Sequence, residues 1–221
     1  MKRRTFLSFL AYSAIYSHLI GKQAYIFHDS DRAKALSDAG NLLLALQKQK
    51  KNVISLVLQG RRFKRDVDHH YPHPKGVHDE ISAYRVFFHG HRNGEYGHFH
   101  TFKYHPKGYT HLLMISLNKS GIPIMISTLN QWVTDDVHMD EQEMIEACTH
   151  FSMNPDLFPD KRSYYFLSSI IKGFETEIVT LIKERTIALR SYFDINGKNP
   201  DTDENLEILS SFHINPSDLG V

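Results

Sequence analysis

Residues 87–102 read Phe-Phe-His-Gly-His-Arg-Asn-Gly-Glu-Tyr-Gly-His-Phe-His-Thr-Phe, and no other stretch limits the fold so tightly. Asn93-Gly94 sits at its centre, and both residues tolerate the positive φ of the tight turns that join antiparallel strands. The segment is therefore expected to fold back on itself as a β-hairpin. Side chains alternate along a strand, so His89 and His91 share one face of the outgoing strand and His98 and His100 one face of the returning strand. If Arg92 opposes Glu95 around a two-residue turn, or His91 opposes His98 around a longer loop, the parity is the same: all four imidazoles fall on one side. Directly opposed Cβ atoms lie about 4.5–5.5 Å apart, a spacing at which ring nitrogens can converge on one ion.

The residue inventory narrows what such a cluster could hold. The chain has a single cysteine, Cys148, so a thiolate site is excluded and any metal must be taken by nitrogen and oxygen. Ten of the fifteen histidines lie between His69 and His111. Imidazole suits divalent transition metals, here Zn, Fe, Mn, Ni or Cu. His89, His91, His98 and His100 are the expected ligands. Glu95 is the nearby carboxylate, a candidate general base, and Arg92 is a candidate contact for an anionic group. The alternative for Glu95 and Arg92 is an ion pair across the turn. In the loop upstream, His70 and Tyr71 are expected to reach the hairpin as outer contacts or substrate contacts, while His69, His73 and His78 read as exposed.

Around the hairpin the pattern is that of an α+β chain. Residues 31–50 read as a helix begun by Ser30 or Asp31. Val53–Leu58 is too short to assign between strand and helical turn. Residues 66–79 carry two prolines and a glycine and are expected to be irregular. Strands are expected at 84–91, 98–104, 111–118 and 122–130, an antiparallel β-meander of about four strands flanked by helices. Asp140 to Thr149 and a long stretch from Asp160, with Tyr164, Leu167, Ile171, Phe174, Ile178 and Leu181 at three- and four-residue spacing, read as helices. Asp203 is placed as the cap of a last short helix, and Asp135 and Asp136 as turn residues after the lone Trp132. The economical division is an N-terminal segment, 1–30, and a single α+β domain, 31–221, that contains the hairpin.

Charge supplies the competing reading. Residues 1–65 hold 13 Lys/Arg against three Asp, and the remainder 13 against 22 acidic residues. Lys48, Lys50, Lys51, Arg61, Arg62, Lys64 and Arg65 form a basic run that, with the histidine-rich loop, would make a non-enzymatic module for anions, nucleic acid or a protein partner. A solvated face complementing the chain's own acidic half is the simpler account of that run, which weighs against nucleic acid. At the N-terminus, Met1-Lys-Arg-Arg-Thr-Phe-Leu followed by Ser8–Gly21 resembles a twin-arginine export signal. His18 and several Tyr and Ser interrupt it, and no Ala-x-Ala-like cleavage site follows, so a cytoplasmic chain with a helix or tethered segment there is the favoured expectation. No stretch reaches the roughly 18 apolar residues of a spanning helix.

Three segments carry a resemblance: His70-Tyr-Pro72, the core His89-x-His-Arg-x-Gly-Glu-x-Gly-His-Phe-His100, and Asn130-Gln-Trp-Val-Thr134. Together they resemble an uncharacterised bacterial family known only as a domain of unknown function, over roughly residues 40–190. The resemblance implies a shared fold and a shared histidine hairpin and brings no activity. The residues themselves point to a divalent metal site, in a metal-dependent hydrolase or oxygenase acting on a small molecule or in a non-enzymatic metal binder.

Overall fold

The structure, a computed structural model, describes residues 29–221. The export-signal or helix expectation falls on residues 1–28 and lies outside the described residues. Helix α1 (Asp29–Lys48) opens with Asp29 and Asp31 in its first turn and buries Ala35, Ala39, Leu43 and Leu46, a stripe at helical spacing. Helix α2 (Val53–Leu58) is settled by its ends. Asn52 and Ser55 form a reciprocal capping box, and Gln59 closes the turn in the left-handed region.

Seven antiparallel strands follow, three more than the meander expected: β1 (Asp66–Tyr71), β2 (Val77–Asp79), β3 (Tyr84–Gly90), β4 (Gly97–His105), β5 (Gly108–Leu117), β6 (Pro123–Leu129) and β7 (Ile208–His213). They form one sheet in the order β1-β3-β4-β5-β6-β7, with β2 also paired to β3. The four expected strands are β3 to β6. The segment 66–79, expected to be irregular, instead supplies β1 and β2, which pair with successive parts of β3. Pro72 and Pro74 fall in the jog between them, where no ladder N–H is required. A further correction concerns the C-terminal part: Asp203 starts no helix, and the chain there returns as β7 on the free side of β6.

Helices α3 (Gln131–Thr134), α4 (Glu141–Thr149), α5 (Lys161–Gly173) and α6 (Glu175–Asn196) complete the described residues together with short 3-10 turns. The long periodic stretch is thus two helices, broken at Phe174. Residues opposed across the ladders show what each sheet face carries. The row Phe88, Phe99, Ile115, Ile126 and Phe212 belongs to the core face. Tyr84 on that face donates to the Ala147 carbonyl of α4 at 2.7 Å, Phe99 meets Phe166 of α5, and Phe212 meets Phe174. Helix α1 packs on α5. The helices thus cover one face, and the polar alternation of the same strands is left for the other.

Candidate metal centre

The hairpin register pairs His89 with His98 and Phe87 with His100. This is the phase in which Arg92 would oppose Glu95, although laddering stops before the loop 91–96. All four histidines lie on the face away from the helices, as parity requires. Ring centroids are 4.6 Å apart for His89 and His98, 4.6 Å for His98 and His100, 4.9 Å for His89 and His91, and 5.3 Å for His91 and His98. His89, His98 and His100 are buried, His91 is exposed, and one nitrogen from each of His89, His91 and His98 can be chosen so that all lie within 4.8 Å of one another. The cluster could hold a metal ion.

Two glycines allow the strands to close beneath these rings. A Cβ on Gly97 would lie 2.5 Å from Phe88 Cζ and 2.6 Å from the His89 carbonyl oxygen, and one on Gly90 would lie 2.7 Å from the Tyr96 carbonyl oxygen. The loop between the strands is tied down from several directions. Arg65 donates to the carbonyls of Arg92 and Glu95. The Tyr96 amide donates to Leu117 O at 2.9 Å, and its ring stacks on Phe63. Arg92 crosses over Met114 and pairs with Glu207 at 2.9 Å. Several members of the basic run are therefore used internally, since Arg61 also caps α2 carbonyls and Lys64 pairs with Asp66.

Three buried rings are oriented through Nδ1. His89 Nδ1 lies 3.0 Å from Val67 O, His98 Nδ1 is paired with the Glu95 carboxylate, and His100 Nδ1 lies 2.8 Å from His111 Nε2. A carbonyl only accepts, so Nδ1 of His89 carries the proton and its Nε2 offers a lone pair. His89 Nε2 is 2.9 Å from His100 Nε2. His100 is therefore the donor to His89 and in turn accepts from His111. His98 Nε2 is buried with no hydrogen-bond partner among the described residues, and so is His111 Nδ1.

Burial sets the charge state. His89 is pushed down to about 3, first by desolvation and then by His98. His111 is likewise pushed down to about 3 by burial, and His100 well below the ordinary imidazole range. These rings are neutral near pH 7, the form that binds metal. Burial pushes the Glu95 carboxyl up, but the hydrogen bond and charge of His98, with Ser116 and Arg92 nearby, outweigh it and hold the group below its usual range.

Of the outer residues, His70 stacks on Phe87 at 4.0 Å and lies 5.1 Å from the His89 ring, beside the cluster. Tyr71 is turned to the core face, where its hydroxyl donates to Arg62 O and accepts from the Lys64 amide. His111 carries no site signal in the sequence beyond its place in the histidine-rich stretch, and Asp136, expected as a turn residue, lies beside it. Asp136 accepts from the His111 amide at 2.6 Å and, chiefly through burial, is raised to about 6. A bulge between Thr101 and Phe102 brings His111 opposite Phe102 and into line with His100, a shift for which the sequence carries no mark. The Trp132 indole donates to Leu206 O at 3.0 Å, which fixes α3 beside β7.

Among known proteins, a family described as a domain of unknown function (DUF6969) matches residues 33–214. No curated protein and no solved structure matches the chain.

Proposed function

The chain belongs to the DUF6969 family, a premise that brings no activity with it, and we propose that it is a metal-dependent protein in which His89, His91, His98 and His100 bind one divalent transition ion. The observation that carries this reading is the buried, unpartnered Nε2 of His98, aimed among three other imidazoles while its Nδ1 is held by Glu95. A buried polar atom without a partner costs about 1–3 kcal/mol, and a metal bond removes that cost. The 2.9 Å between the Nε2 atoms of His89 and His100 also fits two ligands on one ion, since nitrogens about 2.0–2.1 Å from a common centre stand about 3 Å apart at adjacent positions. Coordination by His100 requires its proton to move from Nε2 to Nδ1, which then donates to His111 Nε2, so the ring binds as a neutral imidazole.

The ligands proposed are neutral imidazoles, which leave the ion's double charge undiminished in a buried site. An ion so held would supply Lewis acidity and would attract an anionic substrate. This suits a hydrolase or an oxygenase acting on a small molecule, with metal identity separating the two. Glu95 is assigned as a positioning residue: its carboxylate fixes the His98 ring and increases its basicity, as carboxylates behind metal-bound imidazoles do. Arg92 takes the role of anion contact.

The test is elemental analysis of protein purified without an affinity tag, paired with thermal unfolding with and without added Zn, Mn, Fe, Ni or Cu. One equivalent of metal and a rise in melting temperature that His98→Ala abolishes are expected. Metal-free protein with no thermal response, combined with salt-sensitive polyanion binding, would favour the interaction module instead.

A further inference from the structure

We infer that the imidazole face carries a subsite for a small carboxylate, formed by the Arg92 guanidinium and the Ser127 hydroxyl beside the metal position; the inference rests on the metal centre proposed above. The ladder pairs His100 with Met114 and Met114 with Ser127, so these side chains form one row across β4, β5 and β6 on the same face. Opposed residues have Cβ atoms about 4.5–5.5 Å apart, which places Ser127 two strands from a proposed metal ligand. Ser127 is fully buried and its hydroxyl has no hydrogen-bond partner among the described residues. Buried hydroxyls in folded proteins are nearly always paired, so this one marks a place where an acceptor belongs.

Arg92 supplies the charge over the same row. Its Nη1 lies 3.7 Å from Met114 Sδ and 2.9 Å from Glu207 Oε1. From the β3–β4 loop the side chain reaches over Met114 of β5, and Glu207, next to the start of β7, extends from the other side to meet it. Its Nε and Nη2 make no hydrogen bond among the described residues, leaving further donors of the planar fork for an anion. The exposures of the pair are unequal: the Arg92 side chain is 19% exposed and that of Glu207 is 38%. The arginine is held down on the face, while the glutamate sits at its rim and can swing into solvent. Glu207 thus acts as an internal carboxylate on the guanidinium, and a free carboxylate would displace it, accept from Ser127, and direct its other end toward the metal.

A structural ion pair and a displaceable stand-in respond oppositely to removal of Glu207. The experiment follows the Arg92 Nε–Hε signal by NMR during acetate titration, in protein with and without one equivalent of Zn²⁺, using phosphate at equal ionic strength as control. Saturable movement of the signal with acetate is expected. Glu207→Gln should tighten acetate up to about fivefold, the worth of a part-exposed pair. Ser127→Ala should weaken it about tenfold, for one lost hydrogen bond to a charged group. No saturable movement, an equal response to phosphate, or unchanged affinity in both variants would overturn the subsite. Failure to take up zinc would instead count against the metal centre, and the Arg92 titration would remain readable without it.

Discussion

Glu95→Gln is the most incisive change to make in this protein. The wild-type carboxylate accepts from His98 Nδ1, and the two side chains are 4% and 0% exposed, so neither salt nor water screens the contact. Replacing the carboxylate with an amide keeps the size, removes the charge, and leaves a carbonyl that can still accept from Nδ1. Outer carboxylates behind metal-bound imidazoles contribute about 10–100-fold to metal affinity, equivalent to about 1.4–2.7 kcal/mol. The near-complete burial of its side chain puts Glu95 toward the upper end of that range. The assay is competition for Zn²⁺ against a chelator of known affinity at pH 7.5. Affinity within twofold of wild type would show that the carboxylate does not support His98, and total loss of metal would show that Glu95 is itself a ligand. In metal-free protein the same substitution has a pH signature. The folded-state pKa of Glu95 lies below its unfolded value, so its contribution to stability is present above the unfolded pKa and disappears as pH falls through the folded one. The variant should lose that component of acid sensitivity.

In metal-free protein, His89 and His111, both pushed down to about 3, and His100, lower than usual, have folded values below those of the unfolded chain. Stability from keeping them neutral is complete above about pH 6.5 and is lost as pH falls, at up to about 4 kcal/mol per pH unit for the three together; urea unfolding at pH 7.5 and 5.5 should show it, and a flat profile would refute the neutral assignment. Gly97→Ala should destabilise by about 1–3 kcal/mol, because its Cβ would meet the Phe88 ring and a backbone oxygen that cannot retreat; calorimetric stability equal to wild type would contradict the close approach. His70→Ala removes a ring that lies beside the cluster, so it should retain one equivalent of metal with at most tenfold weaker binding, and loss of the metal would promote His70 to a ligand.

The alternation of residues 84–104 made the central hairpin legible, because a period of two around Asn93-Gly94 admits one phase only. Either turn length puts the four imidazoles on one face, and the pairing of His89 with His98 belongs to the shorter one. Strands β1 and β2 are hidden in the sequence because prolines normally break a segment, whereas here they occupy the interval between two short pairings. Strand β7, Ile-Leu-Ser-Ser-Phe-His, has no clean alternation, and its place beside β6 depends on contacts far away in sequence. The same reason concealed His111, Ser127 and Glu207. Each joins the imidazole face through a bulge, a register or a long side chain, and none of these leaves a local sequence mark.

The loop that carries His91 is fastened on two sides, by Arg65 from before β1 and by Glu207 from beside β7. His89, His98 and His100 are buried, and His91 is the exposed member of the set. An ion held by this cluster would therefore enter and leave past His91, at a rate set by how often the doubly fastened loop lets go. Exchange is then governed by local opening and becomes slow even where equilibrium affinity is moderate. A chelator in large excess would strip the ion at a rate independent of chelator concentration. Loosening either fastener would change how quickly a bound ion is given up before it changed how tightly that ion is held.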